Sequence, residues 1–241
     1  MRRQLGGPLA RFDPVCRAVR CARPCLGLTD LYSPSVADLP FPLDPSLAST
    51  LARALDVEGK IPRALDALGP IGDRDVVLVG GGEAETQRLT ALGGRLTNVD
   101  PLAGEGASGW PVPDGSADVV VASWSAFRGA DRAELAEADR VLRATGRLLV
   151  IHDYGRDDVA RLRGEPPEQL AWSRRNGPFL RAGFRIRVLH CFWTFDSLDT
   201  ARDFLRRAFG EAGETVGSKL KRPRLSWNVA LYHRGRGRAA V

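Results

Sequence analysis

Three consecutive glycines, Gly80, Gly81 and Gly82, close the aliphatic run Val76-Val77-Leu78-Val79 and lead through Glu83 and Ala84 into a helical pattern, Thr86 to Leu92. Glycine at such a turn lets the chain bend sharply and lets a ligand approach the main chain without meeting a Cβ. Further on, Leu96-Thr97-Asn98-Val99 ends in Asp100-Pro101. An acid at the tip of the second strand of a βαβ unit is placed to hold the hydroxyls of a ribose. Together the two segments point to a site for an adenosine-containing cofactor.

Other candidates cluster at strand ends. His152, Asp153 and Tyr154 follow an aliphatic strand, where such sheets meet their ligands. His152, with an ordinary pKa near neutrality, suits a general base, and equally suits a cap bonded to backbone. Ser123 and Trp124 end the preceding strand and are expected to face cofactor or substrate. Trp193, Phe195, Trp227 and Tyr232 are available to wall an apolar pocket, although at strand spacing core roles are commoner. His190 and His233 fall within strands and read as core or edge residues. Cys16, Cys21 and Cys25 have neither zinc-site spacing nor a nearby histidine, so they read as free thiols and no metal is expected. The sequence holds no Ser-His-Asp set, no catalytic carboxylate pair and no H-E-x-x-H.

The elements that must position these residues follow from hydrophobic periodicity. Helix is expected over 46–68, interrupted near Gly59 and Pro62, then at about 129–143, 167–182 and 197–210. Strands are expected at 75–80, 95–99, 117–123, 147–151, 184–193 and 225–233, the last with an edge or antiparallel pattern. Apolar strands alternating with helices predict an α/β, doubly wound, Rossmann-like and mostly parallel sheet with an antiparallel final strand. Residues 1–45 read as an N-terminal extension and 46–234 as the catalytic domain, with 155–182 and 196–222 as helical elements on the substrate side. Residues 235–241 form a basic tail, and the Arg-Gly run from Arg234 to Arg238 is expected to be disordered.

Bulk properties narrow the class. The 241 residues suit one large α/β domain, and 44% hydrophobic content is ordinary for a soluble protein. No apolar run approaches the roughly 20 residues of a membrane helix, so a cytoplasmic, membrane-free protein is expected. The net charge of +6 is uneven: about +5 over residues 1–25, −8 over 26–154 and +9 over 155–241. Basic ends raise nucleic acid as a partner, but an Arg-rich, Ala/Gly-rich composition is the simpler reading and a small molecule is favoured.

From about residue 46 to 234 this ordering resembles the class I S-adenosylmethionine-dependent methyltransferases, in their small-molecule, methyltransferase-11-like branch. Val77 to Ala84 is similar to the family's first motif, the turn cradling the cofactor's methionine part. Asn98-Val99-Asp100 is similar to its ribose-binding strand end. Trp110-Pro111-Val112-Pro113-Asp114-Gly115-Ser116-Ala117-Asp118 resembles the approach to the fourth strand, and Ala136 to Leu148 the helix and strand that follow. The resemblance implies S-adenosylmethionine as cofactor, held by Gly80, Gly81, Gly82, Glu83, Ala84, Asp100, Pro101, Glu105, Ser123 and Trp124, and methyl transfer to a small-molecule acceptor near His152, Asp153 and Tyr154. The alternatives are an RNA methyltransferase drawing on the basic ends, and a non-catalytic relative that has lost the cofactor.

The chain departs from the family in three places. Leu78 stands where an acid usually precedes the turn, and Ala84 replaces the third glycine. Only nine residues separate Asp100 from Trp110, so the third strand and its preceding helix are shortened or missing. The family's adenine-reading acid then aligns with Gly106, leaving Glu105 or the loop backbone to substitute.

Overall fold

Asp44 caps the first helix by accepting the N–H groups of Ser46 and Leu47 at 3.0 and 3.2 Å, with Pro45 in the first helical position. The computed structural model describes residues 39–102, 108–124, 126–164 and 167–237. Glu105, the three N-terminal cysteines, most of the N-terminal extension and residues 238–241 lie outside them.

Helix α1 (Pro45–Ala54) buries Leu47, Ala48, Leu51 and Ala54 at three- and four-residue spacing. Gly59, in the left-handed region, begins α2 (Lys60–Leu68), whose first amides bond to the Asp56 carboxylate at 2.9 and 2.7 Å. This is the interruption expected near Gly59. The chain continues through β1 (Asp75–Val79), α3 (Glu83–Ala91), β2 (Arg95–Val99), β3 (Ala117–Ser123), α4 (Arg132–Val141) and β4 (Leu142–Asp153). It ends with α5 (Asp158–Arg163), α6 (Pro167–Trp172), α7 (Pro178–Arg181), β5 (Arg185–Thr194), α8 (Leu198–Lys219) and β6 (Arg224–Gly235).

The six strands form one sheet in the order β2-β1-β3-β4-β6-β5. The β2, β1, β3 and β4 neighbours pair in parallel, and β6 runs antiparallel to both β4 and β5. The chain therefore has the doubly wound, Rossmann-like α/β fold with an antiparallel final strand. That strand lies inside the sheet; β5 is the edge, because β6 inserts between β4 and β5. Alternate strand residues enter separate cores. Leu78, Val121, Leu149 and Ile151 pack with α1, α2 and α8 on one face; Val77, Val120, Leu148 and Val150 pack with α4 and α7 on the other. Burial on both faces explains why the inner strands read as unbroken aliphatic runs.

Among the described residues no strand lies between Val99 and Ala117, as the short connection implied. This leaves β2 at an edge, where Arg95, Thr97 and Asn98 are exposed and polar.

Three local expectations change. The helix expected over 167–182 splits into α6 and α7, because the chain turns at Gly177, where a Cβ would come within 2.5 Å of the Ala171 and Trp172 carbonyl oxygens. The helix expected at 197–210 continues to Lys219 across a kink at Gly210, whose φ of 56° and ψ of −134° are open to glycine. The described part of the Arg-Gly run, Arg234 to Gly237, is tied to α4: Arg234 reaches the Asp139 carboxylate at 2.8 Å and the Gly237 N–H donates to it at 2.7 Å. Among the described residues no helix is long and apolar enough to cross a membrane.

Candidate cofactor and acceptor site

The carboxyl ends of β1, β2, β3 and β4 meet on one edge of the sheet. Val79 pairs with Val99 and with Ala122, and Ser123 pairs with Ile151. Gly80 leaves β1 with a φ of 67°, a conformation that favours glycine. Its N–H donates to the Val99 carbonyl at 2.9 Å, so the glycine turn and Asp100 emerge side by side. Gly82 then caps α3 in an extended conformation, and the Thr86 N–H is bonded to its carbonyl at 3.0 Å. The Thr86 hydroxyl also donates to that carbonyl, at 2.8 Å, and accepts from the Asn98 side-chain amide at 3.0 Å. This links the start of α3 to β2.

Asp100 and Glu83 are exposed, the three glycines and Pro101 are half-buried, and Ala84 and Glu85 are buried. The turn is tight because Leu78 lies beneath it: a Cβ on Gly81 would stand 2.4 Å from the Leu78 Cγ and Cδ2. What remains above the turn is bare backbone at a helix N-terminus, suited to polar groups that hydrogen-bond main chain. Glu83 and Glu85 add negative charge to the same turn. An adenosine-bearing cofactor with a cationic centre and an amino-acid end fits this chemistry: backbone for the amino-acid end, acids for the positive charge, Asp100 for ribose hydroxyls.

Ser123 is buried at the end of β3. Trp124 follows it with a φ of 53°, and Phe127 and Ala130 have φ of 54° and 60°. Such values are strained for residues with a Cβ and persist only where surrounding bonds impose them. The Trp124 N–H donates to the Ile151 carbonyl at 3.0 Å, and the Phe127 N–H donates to the Glu134 carboxylate. Glu134 is 4% exposed, and burial pushes its pKa up to about 7.

His152, Asp153 and Tyr154 do not form one cluster. Successive strand residues point to opposite faces. His152 projects into the α4–α7 side, its ring 4.7 Å from that of Trp172 and 6.0 Å from Phe179. Burial pushes its pKa down to about 3, and Nε2 has no hydrogen-bond partner among the described residues. It is a neutral, weakly basic imidazole at neutral pH. Asp153 projects to the other face, where it pairs with Arg163 at 2.7 Å and accepts from the Trp227 indole at 2.8 Å. The Arg163 guanidinium also lies over the Phe41 ring, 4.3 Å from its centroid. Tyr154 is half-buried, tied by its N–H to the Asn228 carbonyl at 2.9 Å.

Two cavities open near these strand ends. Asp153, Tyr154, Arg163 and Trp227 line one beside α5. The other, of about 140 Å³, lies between the α1–α2 connection and α3, over Trp124, Ile151 and Trp227. Of the aromatics considered as pocket walls, Trp227 lines both cavities, while Trp193, Phe195 and Tyr232 are core residues. The sequence reading missed Glu85 and Arg88, which line the larger cavity; their one available signal was their place within two turns of the glycines. It also missed the Asp153–Arg163 pair, which depends on how α5 folds back against β4.

No family model and no curated protein matches this chain. Solved structures similar to it include methyltransferases. One is a candidate type II methyltransferase from Anaeromyxobacter dehalogenans, 22% identical over 73% of this chain and 94% of that one, with a TM-score of 0.45. Another is the geranyl diphosphate C-methyltransferase of Streptomyces coelicolor A3(2), solved with Mg2+, geranyl diphosphate and S-adenosyl-L-homocysteine; it is 15% identical over 80% and 84% of the two chains, with a TM-score of 0.44. A third is a SAM-dependent methyltransferase from Aquifex aeolicus, 16% identical over 79% and 99%, with a TM-score of 0.41.

Proposed function

We propose that this chain is an S-adenosylmethionine-dependent methyltransferase of the cytoplasm, acting on a small-molecule acceptor. The observation that carries this reading is the bond from Gly80 N–H to the Val99 carbonyl, which sets the glycine turn beside Asp100. In this reading the backbone of Gly80 to Ala84 holds the methionine part, Asp100 with Pro101 holds the ribose, and Glu83 offsets positive charge. Ser123 and Trp124 border the reacting end, and Glu105 is the proposed adenine contact.

The cofactor supplies an electrophilic methyl on a sulfonium, displaced in line by the acceptor. The chain's task is then orientation, water exclusion and reception of a proton. Of His152, Asp153 and Tyr154, Tyr154 borders a cavity without being committed to a buried ion pair, so we assign it the direct contact. His152 and Asp153 hold the strand end from its two faces.

Isothermal titration with S-adenosylmethionine or S-adenosylhomocysteine tests this. Binding is expected, with Asp100→Ala weakening it at least tenfold, about 1.4 kcal/mol. Unchanged affinity in that variant removes Asp100 from the site, and no binding to folded wild-type protein removes the function.

A further inference from the structure

Helix α2 separates two spaces. Ile61, Pro62 and Leu65 face the cavity beside the cofactor turn, whereas Lys60, Arg63 and Ala64 face a groove of about 380 Å³ against residues 187–190 of β5. The spacing of three and four residues puts Lys60, Arg63 and Ala64 on one side of the helix. The groove has the size of a small-molecule site, and no carboxylate among the described residues lines it.

Positive charge continues past the groove along the sheet. His233 of β6 stands opposite Arg185 of β5 and opposite Leu149 of β4. Arg187 and Arg147 lie two residues from those partners, so Arg147, Arg185, Arg187 and His233 rise from the same face. Burial, and then the charges of Arg185, Arg147 and Arg187, push the His233 pKa down. The three arginines are exposed, and no carboxylate among the described residues pairs with any of them. The nearby acids are engaged: Glu58 by Lys60 at 2.7 Å, and Asp66 by the Ile71 N–H at 3.0 Å. Elsewhere the chain neutralises its arginines, since Arg95, Arg140, Arg143, Arg163 and Arg234 each meet a carboxylate at 2.9 Å or less. Like charges gathered on adjacent strands destabilise a sheet, and an anion in the groove would offset them.

Guanidinium groups grip phosphate oxygens in pairs. The cations are strung out rather than gathered at one point. Lys60 sits at the His190 end, where its ammonium donates to the His190 carbonyl at 2.6 Å, and Arg147 lies beyond the Arg185 end. Between them, Arg185 and Arg187 are separated by roughly 7 Å along the strand. An anion whose charge is distributed along its length matches this row better than a single phosphate or carboxylate.

We propose that the groove between α2 and β5 binds a small molecule bearing two or more linked phosphates, gripped by Arg63, Arg185 and Arg187 with Lys60 and Arg147 at its ends. This goes beyond the methyltransferase reading and does not rest on it.

The test is calorimetric titration of the full chain with inorganic triphosphate, orthophosphate and citrate at about 0.15 M salt. Triphosphate is expected to bind at least tenfold more tightly than either of the others. Arg185→Gln and Arg187→Gln should each weaken it at least fivefold with the unfolding midpoint unchanged. Arg132→Gln, the same charge change on exposed α4 across the sheet, should leave it within twofold. Citrate binding as tightly as triphosphate, or equal losses in all three variants, would reduce the groove to diffuse surface charge and overturn the proposal. So would the absence of triphosphate binding, which leaves these arginines as guards of an edge strand. Displacement of triphosphate by S-adenosylhomocysteine would place the anion at the glycine turn instead, also overturning it. Tighter binding, through the same arginines, of a short RNA or of phosphatidylglycerol vesicles overturns the assignment to a free small molecule.

Discussion

Gly81 and Leu78 occupy adjoining space: a Cβ on the glycine would stand 2.4 Å from the Leu78 Cγ and Cδ2 and 2.7 Å from its Cδ1. Leu78 is fully buried, so this glycine serves core packing as well as any ligand above it. The buried Leu78 side chain is what demands the small neighbour.

Gly81→Ala is therefore expected to destabilise the fold by about 1–3 kcal/mol, the range for overpacking. Chemical denaturation measures this. A double variant Gly81→Ala with Leu78→Ala should recover no more than the Gly81 term, because the second change opens its own cavity. If Gly81→Ala alone costs nothing, the turn is looser than its geometry implies.

Asp153 and Arg163 form a largely buried pair, with side chains 10% and 16% exposed, and Asp153 also accepts from the Trp227 indole. Removing one partner strands the other charge. Asp153→Ala should cost about 3–5 kcal/mol, whereas Arg163→Met, which keeps aliphatic contact with Phe41, should cost less than Asp153→Ala. A catalytic carboxylate without a structural role predicts the reverse pattern, with activity lost and the unfolding midpoint unchanged.

Glu134 and His152 give opposite pH dependences. The folded protein holds the Glu134 proton up to about pH 7, against 4.5 ordinarily, because of burial. Its stabilising contribution is present below pH 4.5 and lost as pH rises through 7. His152, driven down from 6.5 to about 3 by burial, contributes fully above pH 6.5, and that contribution is lost as pH falls towards 3, because the unfolded chain takes up the proton first. Melting temperatures of Glu134→Gln and His152→Leu should accordingly diverge from wild type in opposite directions between pH 4.5 and 6.5: with rising pH the Glu134 variant gains on wild type, and the His152 variant falls behind. Parallel curves would mean that neither group titrates differently on unfolding.

Much of the architecture was legible because it is encoded locally. Val76 to Val79 and Leu148 to Ile151 are aliphatic on consecutive positions, which suits strands covered on both faces. Gly80 to Gly82 marks the turn because its φ of 67° at Gly80 favours glycine. The nine residues between Asp100 and Trp110 left too little chain for a full helix and a further strand, and the sheet ends at β2. The breaks were less visible: Gly177 and Gly210 interrupt helices through contacts and dihedrals that hydrophobic periodicity does not carry.

The candidate site divides along the same line. Sequence alone placed the glycine turn, Asp100 and the strand-end residues 123–124 and 152–154 at one edge, since each follows its own strand in a parallel sheet. Only the folded chain decided that His152 and Asp153 face opposite cores, that Arg163 answers Asp153, and that Glu85, Trp124 and Trp227 surround one space with α2. Those relations join segments far apart in the chain, and their energies depend on burial and on partners that exist only after packing. A side chain's type limits what it can do; its surroundings determine which of those roles it takes.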